Sequence, residues 1–261
     1  EEIGRAHVDH PIPVGGDRTL RGAIFAMPFE GTVIVAAFDR VFEDEIAAYE
    51  DGDRAYQGVV ALRQFFAQDR WIGAYVVRRS QEDRAGKPLD ASVVDLAADL
   101  TFGAWRVQGE AALIRGFTTW GATAEHPDVE LDRKGAALRL TGSLGDALVA
   151  DLEATWLSGD ATMDDGRSTG FRADRNFQQG LVLFPRVLAT WSGRARLNAS
   201  DPNIVGEPAE DLDKLATAGS LSGVATAFPK VGWTLSEHVE LYAGALMAWS
   251  TADVLDPFNS R

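Results

Sequence analysis

The sequence contains one pentapeptide with the spacing of a serine-hydrolase nucleophile. Residues 166–170 read Gly-Arg-Ser-Thr-Gly, which matches the G-x-S-x-G pattern. That chemistry requires the serine to sit on a sharp turn between a strand and a helix, with a histidine and an acid beside it. No apolar strand pattern precedes the pentapeptide and no helical pattern follows it. We therefore expect a polar loop and no enzyme, and we keep a hydrolase that uses Ser168 as an alternative.

Acidic residues in and around the same loop could bind Ca²⁺ through their carboxylate oxygens. Ca²⁺ takes about six to eight oxygen ligands, but the stretch lacks the residue order of an EF-hand, so a solvated acidic loop is the simpler interpretation. The four histidines have no metal-ligand spacing and the chain has no cysteine. We therefore expect no cofactor. The weak calcium candidates are Asp160, Asp164, Asp165 and Asp174.

The charge of the chain argues against one class of partner. Its 261 residues include 39 acidic and 25 basic side chains, with a formal charge of -14, so we expect no nucleic acid partner.

No stretch of the chain approaches the about 18 consecutive apolar residues of a membrane helix. Membrane strands stay possible, because a strand that crosses a bilayer shows only weak alternation of apolar and polar residues.

Apolar and polar residues alternate along residues 92–117, which predicts a β-hairpin with one face of each kind. Folding this stretch about its two-residue turn places Phe102 opposite Trp105 and Asp99 opposite Gln108. Apolar side chains then meet apolar ones and polar side chains meet polar ones, so the register is consistent.

The length of the apolar face and its aromatic ends suggest a membrane strand. From Trp105 to Phe117 the strand spans roughly 40 Å, or roughly 28–32 Å of height at a tilt of about 40°. That height is close to the hydrocarbon thickness of a bilayer, and aromatic girdles flank such a layer. The predicted girdle residues are Phe66, Trp71, Phe102, Trp105, Phe117, Trp156, Trp233 and Trp249.

Hairpins of this kind recur along the chain. Short turns alternate with long polar connections, which is typical of outer-membrane barrels. The sequence therefore predicts an all-β, antiparallel, up-and-down transmembrane β-barrel of about twelve strands in a single domain, 1–261. The predicted strand pairs are 19–28 with 31–41, 56–66 with 70–79, 92–102 with 105–117, 131–143 with 146–158, 177–184 with 187–196, and 221–235 with 239–250.

Two further registers follow from the same reasoning. Folding the second pair about residues 68–69 places Phe66 opposite Trp71 on an apolar face. Folding the fourth pair near Gly145 places Arg139 opposite Asp151, as an ion pair on the polar face. A soluble sheet could carry the same ion pair, where it would contribute about 0–1 kcal/mol.

Charged side chains on the polar faces are the strongest functional candidates, because rings of charge set the selectivity of pores. The alternative is that mixed charges only keep a lumen hydrated or bridge strands. Arg115 breaks the pattern, because its parity places it on the lipid face; a bulge or snorkelling would explain that position. The candidate pore-lining residues are Asp95, Asp99, Arg106, Glu110, Arg133, Arg139, Asp151, Glu153, Lys230 and Glu240.

Residues 151–184 resemble a known family. The stretch contains Glu153, Trp156, Ser158-Gly159-Asp160, Phe171, Asp174, Asn176-Phe177 and the run Gly-Leu-Val-Leu-Phe at 180–184. It resembles the alginate-export-like outer-membrane barrels and, more narrowly, an uncharacterised group of such barrels from myxobacteria. The ending, with Trp249-Ser250 and then Asp256-Pro257-Phe258-Asn259, is also similar to that group.

The resemblance implies a channel for hydrophilic solutes or polymer in the outer membrane of a Gram-negative bacterium. Outer-membrane lipid, lipopolysaccharide and a hydrophilic solute or polysaccharide would then be its partners. We also expect a fragment that lacks C-terminal strands, because the chain stops soon after a strand without the terminal aromatic residue common in such barrels. A soluble all-β carbohydrate-binding sandwich and a barrel hydrolase remain the alternatives.

Overall fold

The computed structural model describes residues 18–44, 46–67, 70–162, 165–174, 177, 179 and 221–253. The one helical element among them is a 3₁₀ turn at Tyr49–Asp51. The strands are β1 (Arg18–Ala26), β2 (Thr32–Glu43), β3 (Arg54–Ala67), β4 (Arg70–Glu82), β5 (Pro88–Phe102), β6 (Trp105–Thr118), β7 (Val129–Ser143), β8 (Leu148–Leu157), β9 (Arg167–Ser168), β10 (Val224–Ser236), β11 (Val239–Gly244) and β12 (Met247–Ser250).

The strands follow one another as antiparallel neighbours. Their order in the sheet is β1-β2-β3-β4-β5-β6-β7-β8-β10-β11, and β12 also pairs with β10. The exception is the two-residue β9, which runs parallel to β7. The predicted all-β, antiparallel and up-and-down fold is confirmed, whereas the transmembrane barrel stays a prediction. The predicted pair 177–184 with 187–196 lies outside the described residues, apart from Phe177 and Gln179.

No helix in the described part of the chain is long and apolar enough to cross a membrane.

The chain divides into two compact units, which are treated separately below. The first unit comprises Glu1–Lys134 and Thr162–Thr169, and so contains β1 to β6, the start of β7, and β9. The second comprises Gly135–Ala161 and Gly170–Arg261, with the rest of β7, β8 and β10 to β12.

The central hairpin, β5 with β6, has the predicted register. Phe102 faces Trp105 and Asp99 faces Gln108, and the pairing continues without a shift to Leu89. A turn of only two residues fixes this register, and its Gly103 has φ 61°, a conformation that glycine adopts without steric cost.

The predicted register of β3 with β4 is wrong by one residue. Phe65, not Phe66, faces Trp71, because the pairing shifts between Phe65 and Ala67. Such a bulge adds one residue to one strand, and side chains beyond it change faces. Trp71 therefore lies on the same face as Tyr75, away from the apolar face on which it was predicted.

The predicted partner of Arg139 is also displaced by two positions along β8. Arg139 faces Glu153 directly. Its guanidinium still donates to Asp151 diagonally, from Nε at 3.0 Å and from Nη2 at 2.8 Å. The turn before β8 is longer than predicted, so the ion pair forms across a diagonal rather than a direct pair.

The last predicted strand, 239–250, is interrupted in the second unit. β11 ends at Gly244 and β12 begins at Met247, yet both pair with β10 in the same register, which shifts only near the short turn, between Thr234 and Ser236. The gap lies beside Pro229, whose carbonyl accepts a hydrogen bond from the amide of Ala245 at 3.2 Å. Because proline has no N–H group, Pro229 cannot donate a hydrogen bond to the neighbouring strand, and the ladder lacks one hydrogen bond there.

Burial in the first unit is the reverse of that in a water-soluble core. On one face, Asp39, Asp95 and Asp99 are buried. On the other, aliphatic side chains are exposed, with Ile24 at 75% and Leu96 at 56%. We call these the polar face and the apolar face. Few large apolar residues are buried; one small cluster consists of Leu89, Ala91 and Leu131, with Trp120 packed on it.

Candidate functional site

A row of hydrogen-bonded polar residues crosses the first three strands on the polar face. Arg21, Asp39 and Gln57 occupy directly opposed positions on β1, β2 and β3. The guanidinium of Arg21 donates from Nε and Nη2 to the two oxygens of Asp39, both at 2.5 Å, and Gln57 Nε2 donates to Asp39 Oδ2 at 2.8 Å. This bidentate geometry satisfies a fully buried carboxylate.

A second acidic row lies on β5. Asp99 accepts from Arg106 Nε at 2.8 Å and from Arg106 Nη2 at 2.5 Å, and from Gln108 Nε2 at 3.2 Å. Asp95 is buried on the same face two pleat repeats away, opposite Tyr75 of β4. The guanidinium that pairs with Asp99 keeps this part of the polar face hydrophilic.

Aromatic and basic side chains adjoin these acids. The guanidinium carbon of Arg63 lies 4.4 Å from the ring centroid of Trp71 and 5.5 Å from that of Phe65, which are cation–π distances. A cavity of about 390 Å³ lies against this part of the polar face, and Arg21, Arg63, Tyr75 and Asp95 contribute to its wall. The remaining wall consists mostly of small apolar side chains.

The first long connection, which joins β2 to β3, lies against the polar face. Arg79 of β4 donates to both carboxylate oxygens of Asp44, at 2.5 and 3.2 Å. Gln81 accepts from Arg79 at 2.6 Å and donates to the carbonyl of Ile46. Ala47 is buried in the same connection, in a cluster with Val41 and Ala55. These contacts anchor the connection at the end of the sheet where the longer connections emerge.

The second unit has its own charged network. Arg139 and Lys230 both contact Asp151, and the ammonium of Lys230 also hydrogen bonds to Glu153. Thr155 lies two residues further along β8 and is buried. The network has two cations and two anions, and all its side chains are at most a quarter exposed. It is therefore an ion-pair cluster without net formal charge.

The remaining predicted pore-lining residues are less enclosed. Glu110 lies on the polar face of β6, directly opposite Ala97. Arg133 donates to the hydroxyl of Ser168 at 2.7 Å. Glu240 is exposed on β11 and accepts from the hydroxyl of Tyr242 at 2.5 Å. Glu240 thus lies on the same face of the sheet as Lys230 but outside the ion-pair cluster.

The predicted girdle residues, apart from Trp71, are all exposed. In the first unit, Phe102 and Trp105 face each other at the short turn, and Phe66 stands outward at the bulge. In the second unit, Trp233 lies near the short turn, whereas Trp249 lies at the opposite end of β10. Exposed rings at both ends of a strand pair fit an interfacial position, where their amphipathic character is satisfied.

The G-x-S-x-G pentapeptide does not form a nucleophile elbow. Ser168 lies in the two-residue β9 beside β7, and no helix follows it in the described chain. Gly166 has φ 74°, and a Cβ there would come within 2.8 Å of the His126 ring. The motif is thus a tight loop packed on its neighbours.

Asp165 of the acidic loop uses both of its carboxylate oxygens within the loop. The hydroxyl of Thr162 and the amide of Arg167 donate to Asp165, both at 2.9 Å. These hydrogen bonds lower the pKa of Asp165 below its usual value. The hydrogen bond from the Thr162 hydroxyl has the larger effect, and the one from the Arg167 amide has the smaller effect. Asp164 lies outside the described residues, and within them no group of three or more acidic or histidine side chains could hold a metal ion.

Several residues of the polar face were missed from the sequence. They are Arg21, Asp39, Gln57, Arg63, Tyr75 and Arg79. The two faces of the first predicted hairpin differ little in polarity. An isolated charge in that hairpin therefore does not reveal which face is the polar one. Arg79 is the last residue of the predicted strand 70–79. The strand registers are needed to identify Arg21, Asp39 and Gln57 as a group, because these residues become neighbours only when β1, β2 and β3 are paired.

In comparisons with known proteins, no family model matches the chain, and no curated protein does so either.

Proposed function

We propose that the chain is part of an outer-membrane β-barrel that forms a passive channel for hydrophilic solutes or polymer. The polar face would line the lumen and the apolar face would contact lipid. The channel would need no cofactor and would carry out no covalent chemistry. The resemblance to alginate-export-like barrels supports the same function.

The single observation that supports this proposal most is the reversed burial of the first unit. An exposed aliphatic side chain such as Leu96 gains nothing in water but is favourable in hydrocarbon. Buried carboxylates such as Asp39 and Asp99 would be costly in an apolar core, whereas their pairing with guanidinium groups would suit the wall of an aqueous lumen. A sandwich would instead bury the aliphatic face between its sheets.

The charge pattern suggests which solutes pass. Three acidic residues on the polar faces have basic partners: Asp39 with Arg21, Asp99 with Arg106, and Asp151 with Arg139 and Lys230. Paired charges present many hydrogen-bonding groups and little net potential. We therefore expect weak selectivity between ions, and passage of neutral or zwitterionic hydrophilic solutes rather than apolar ones.

Planar-bilayer conductance of the intact gene product, reconstituted in lipid, tests the proposal. We expect discrete ohmic steps with a small preference between K⁺ and Cl⁻. Arg139→Glu should shift the reversal potential towards cations, because it replaces a cation with an anion beside Asp151 and Glu153. Arg167→Glu, a change of equal charge in the loop, should shift it less. No conductance, or a soluble and monodisperse chain without detergent, would exclude the channel.

The hydrolase alternative has its own measurement. Ester or peptide turnover by the purified chain that is lost in Ser168→Ala would establish it. We expect no such turnover, because Ser168 occupies a short strand and its hydroxyl accepts a hydrogen bond from Arg133.

A further inference from the structure

Apolar side chains interrupt the polar face of the first unit between Asp39 and the short turns. They are Val33, Val35 and Ala37 on β2, and Val59 and Ala61 on β3. Each lies an even number of residues from Asp39 or Gln57 along its strand, and therefore shares their face. All but Val59 are only half-buried, and contiguous apolar surface of this kind marks ligand-binding grooves. We call these residues the apolar patch.

The apolar patch forms one side of the cavity of about 390 Å³ in the first unit. Small residues continue the wall, because Gly73 of β4 and Ala97 of β5 are directly opposed there. The larger side chains of Phe65 and Tyr75 border the cavity on the same face. Short side chains between long ones make this part of the sheet concave. Its volume lies in the range of about 300–1,000 Å³ that is typical of small-molecule sites.

Hydrogen-bonding groups lie at the edge of the apolar patch. Tyr75 lies directly opposite Ala61 of the patch on one side and Asp95 on the other. Arg63 lies two residues beyond the patch on β3, and its guanidinium packs on the ring of Trp71. A guanidinium has five N–H donors, so Arg63 can bind a further acceptor beside the contacts that it already makes. A carboxylate accepts hydrogen bonds, and a phenol hydroxyl both donates and accepts them.

The charges around the cavity have both signs. The charged residues that line or adjoin it are Arg21, Arg63 and Arg106, and Asp39, Asp95, Asp99 and Glu110. A charged ligand would therefore meet a like charge as well as an opposite one. It would also lose hydration against a wall that is mostly apolar, which is costly for an ion. The cavity is thus complementary to an uncharged ligand.

We propose that this cavity binds a small uncharged molecule with a compact apolar body and a hydroxyl or amide group. The apolar body covers the apolar patch, and the polar group exchanges hydrogen bonds with Arg63, Tyr75 or Asp95 at its edge. Such a ligand differs from the hydrophilic solutes of the proposed channel. The inference rests on the proposed function only in placing the cavity on the wall of a lumen.

Equilibrium dialysis of the intact gene product in lipid nanodiscs measures this binding, with empty nanodiscs to subtract partition into lipid. The probes are naphthylmethanol, the anion naphthoate, the cation naphthylmethylammonium, and glucose. We expect saturable binding of naphthylmethanol, and binding of both ions that is weaker by about fivefold or more, the effect of one like charge at about 4 Å in water. Glucose, which lacks the apolar body, should not bind saturably. Tighter binding of either ion, or of glucose, would overturn the assigned ligand class.

Two substitutions assign the binding to the cavity. Val35→Thr exchanges one methyl group for a hydroxyl at nearly constant volume, and should weaken naphthylmethanol binding by about fourfold, the contribution of one buried carbon group. Ala61→Leu should abolish binding, because its side chain fills the space. Ala137→Leu is the matched control: Ala137 is half-buried and shares the face of Arg139 on β7 in the second unit, so binding should not change.

The results separate the cavity from the channel. Conductance by a protein that shows no saturable naphthylmethanol binding would overturn the cavity site and leave the channel. Equal affinity in the parent and Val35→Thr, or equal loss in Ala61→Leu and Ala137→Leu, would also overturn it. Saturable binding that Val35→Thr weakens, in a protein without conductance, would support the site and contradict the proposed function.

Discussion

The substitution Leu96→Arg should lower the stability of the protein if Leu96 faces lipid, and should leave it nearly unchanged if Leu96 faces water. Leu96 lies on the apolar face of β5, six residues from Phe102 and four from Ser92. That position is close to the middle of the roughly 26 Å band inferred from strand geometry. Its side chain is 56% exposed, so Leu96→Arg removes few contacts within the protein.

The expected magnitudes separate the two environments. An exposed substitution on a soluble sheet usually changes stability by no more than about 0.5 kcal/mol. Arginine on the lipid face at the bilayer midplane costs about 2–4 kcal/mol, and the cost falls towards the interface. Leu100→Arg, nearer the short turn on the same face, should therefore cost less than Leu96→Arg. A total stability of about 5–15 kcal/mol makes the larger loss easy to measure.

The assay is urea unfolding in phosphatidylcholine vesicles, monitored by tryptophan fluorescence. Leu96→Ala serves as the control for lost side-chain volume. A change in the free energy of unfolding of less than about 0.5 kcal/mol for Leu96→Arg, or a reversed order of the two arginine variants, would contradict a lipid-facing position for Leu96.

Three other substitutions test the internal contacts. Asp39→Ala should reduce the free energy of unfolding by about 3 kcal/mol, measured by urea titration, because it leaves a guanidinium facing a buried site. Gly116→Ala should cost about 1–3 kcal/mol, since its Cβ would come within 2.0 Å of a backbone carbonyl, whereas Gly58→Ala, with open space around it, should not destabilise β3. Arg79→Ala should release the first long connection and raise single-channel conductance.

Each of these has a contradicting result. If Arg21→Met/Asp39→Leu is as unstable as Asp39→Ala, an unpaired charge does not explain the loss. Equal stability of the Gly116 and Gly58 variants would argue against the close approach of β5 and β6 at residue 116. Unchanged conductance in Arg79→Ala would mean that the anchored connection does not narrow the channel.

Tight turns and clean alternation made much of the fold predictable. The two-residue turn at 103–104 leaves one consistent register, so the pairing of Phe102 with Trp105 follows from sequence alone. The bulge beside Phe66 could not be anticipated, because both registers place apolar residues opposite each other. The interruption beside Pro229 is readable in hindsight, since a proline in a paired strand removes a donor.

The polar site was only partly predictable, and for a physical reason. Asp95, Asp99 and Arg106 stand in a strongly alternating hairpin, so parity alone assigns their face. Arg21 and Asp39 are single charges among small apolar residues, and they gain meaning only as neighbours on adjacent strands. Cross-strand pairs of this kind depend on register, which a single sequence specifies weakly where both faces look alike.

Cysteine accessibility tests the two-faced sheet most directly, because the chain has no cysteine of its own. Single cysteines would be placed at Leu96 and Ala111 on the apolar face, and at Thr101 and Gln108 on the polar face, then exposed to a water-soluble maleimide in lipid vesicles. We predict rapid labelling at Thr101 and Gln108, and protection of Leu96 and Ala111 until the protein is unfolded. Rapid labelling of Leu96 and Ala111 in intact vesicles would contradict the membrane-facing surface and the channel with it.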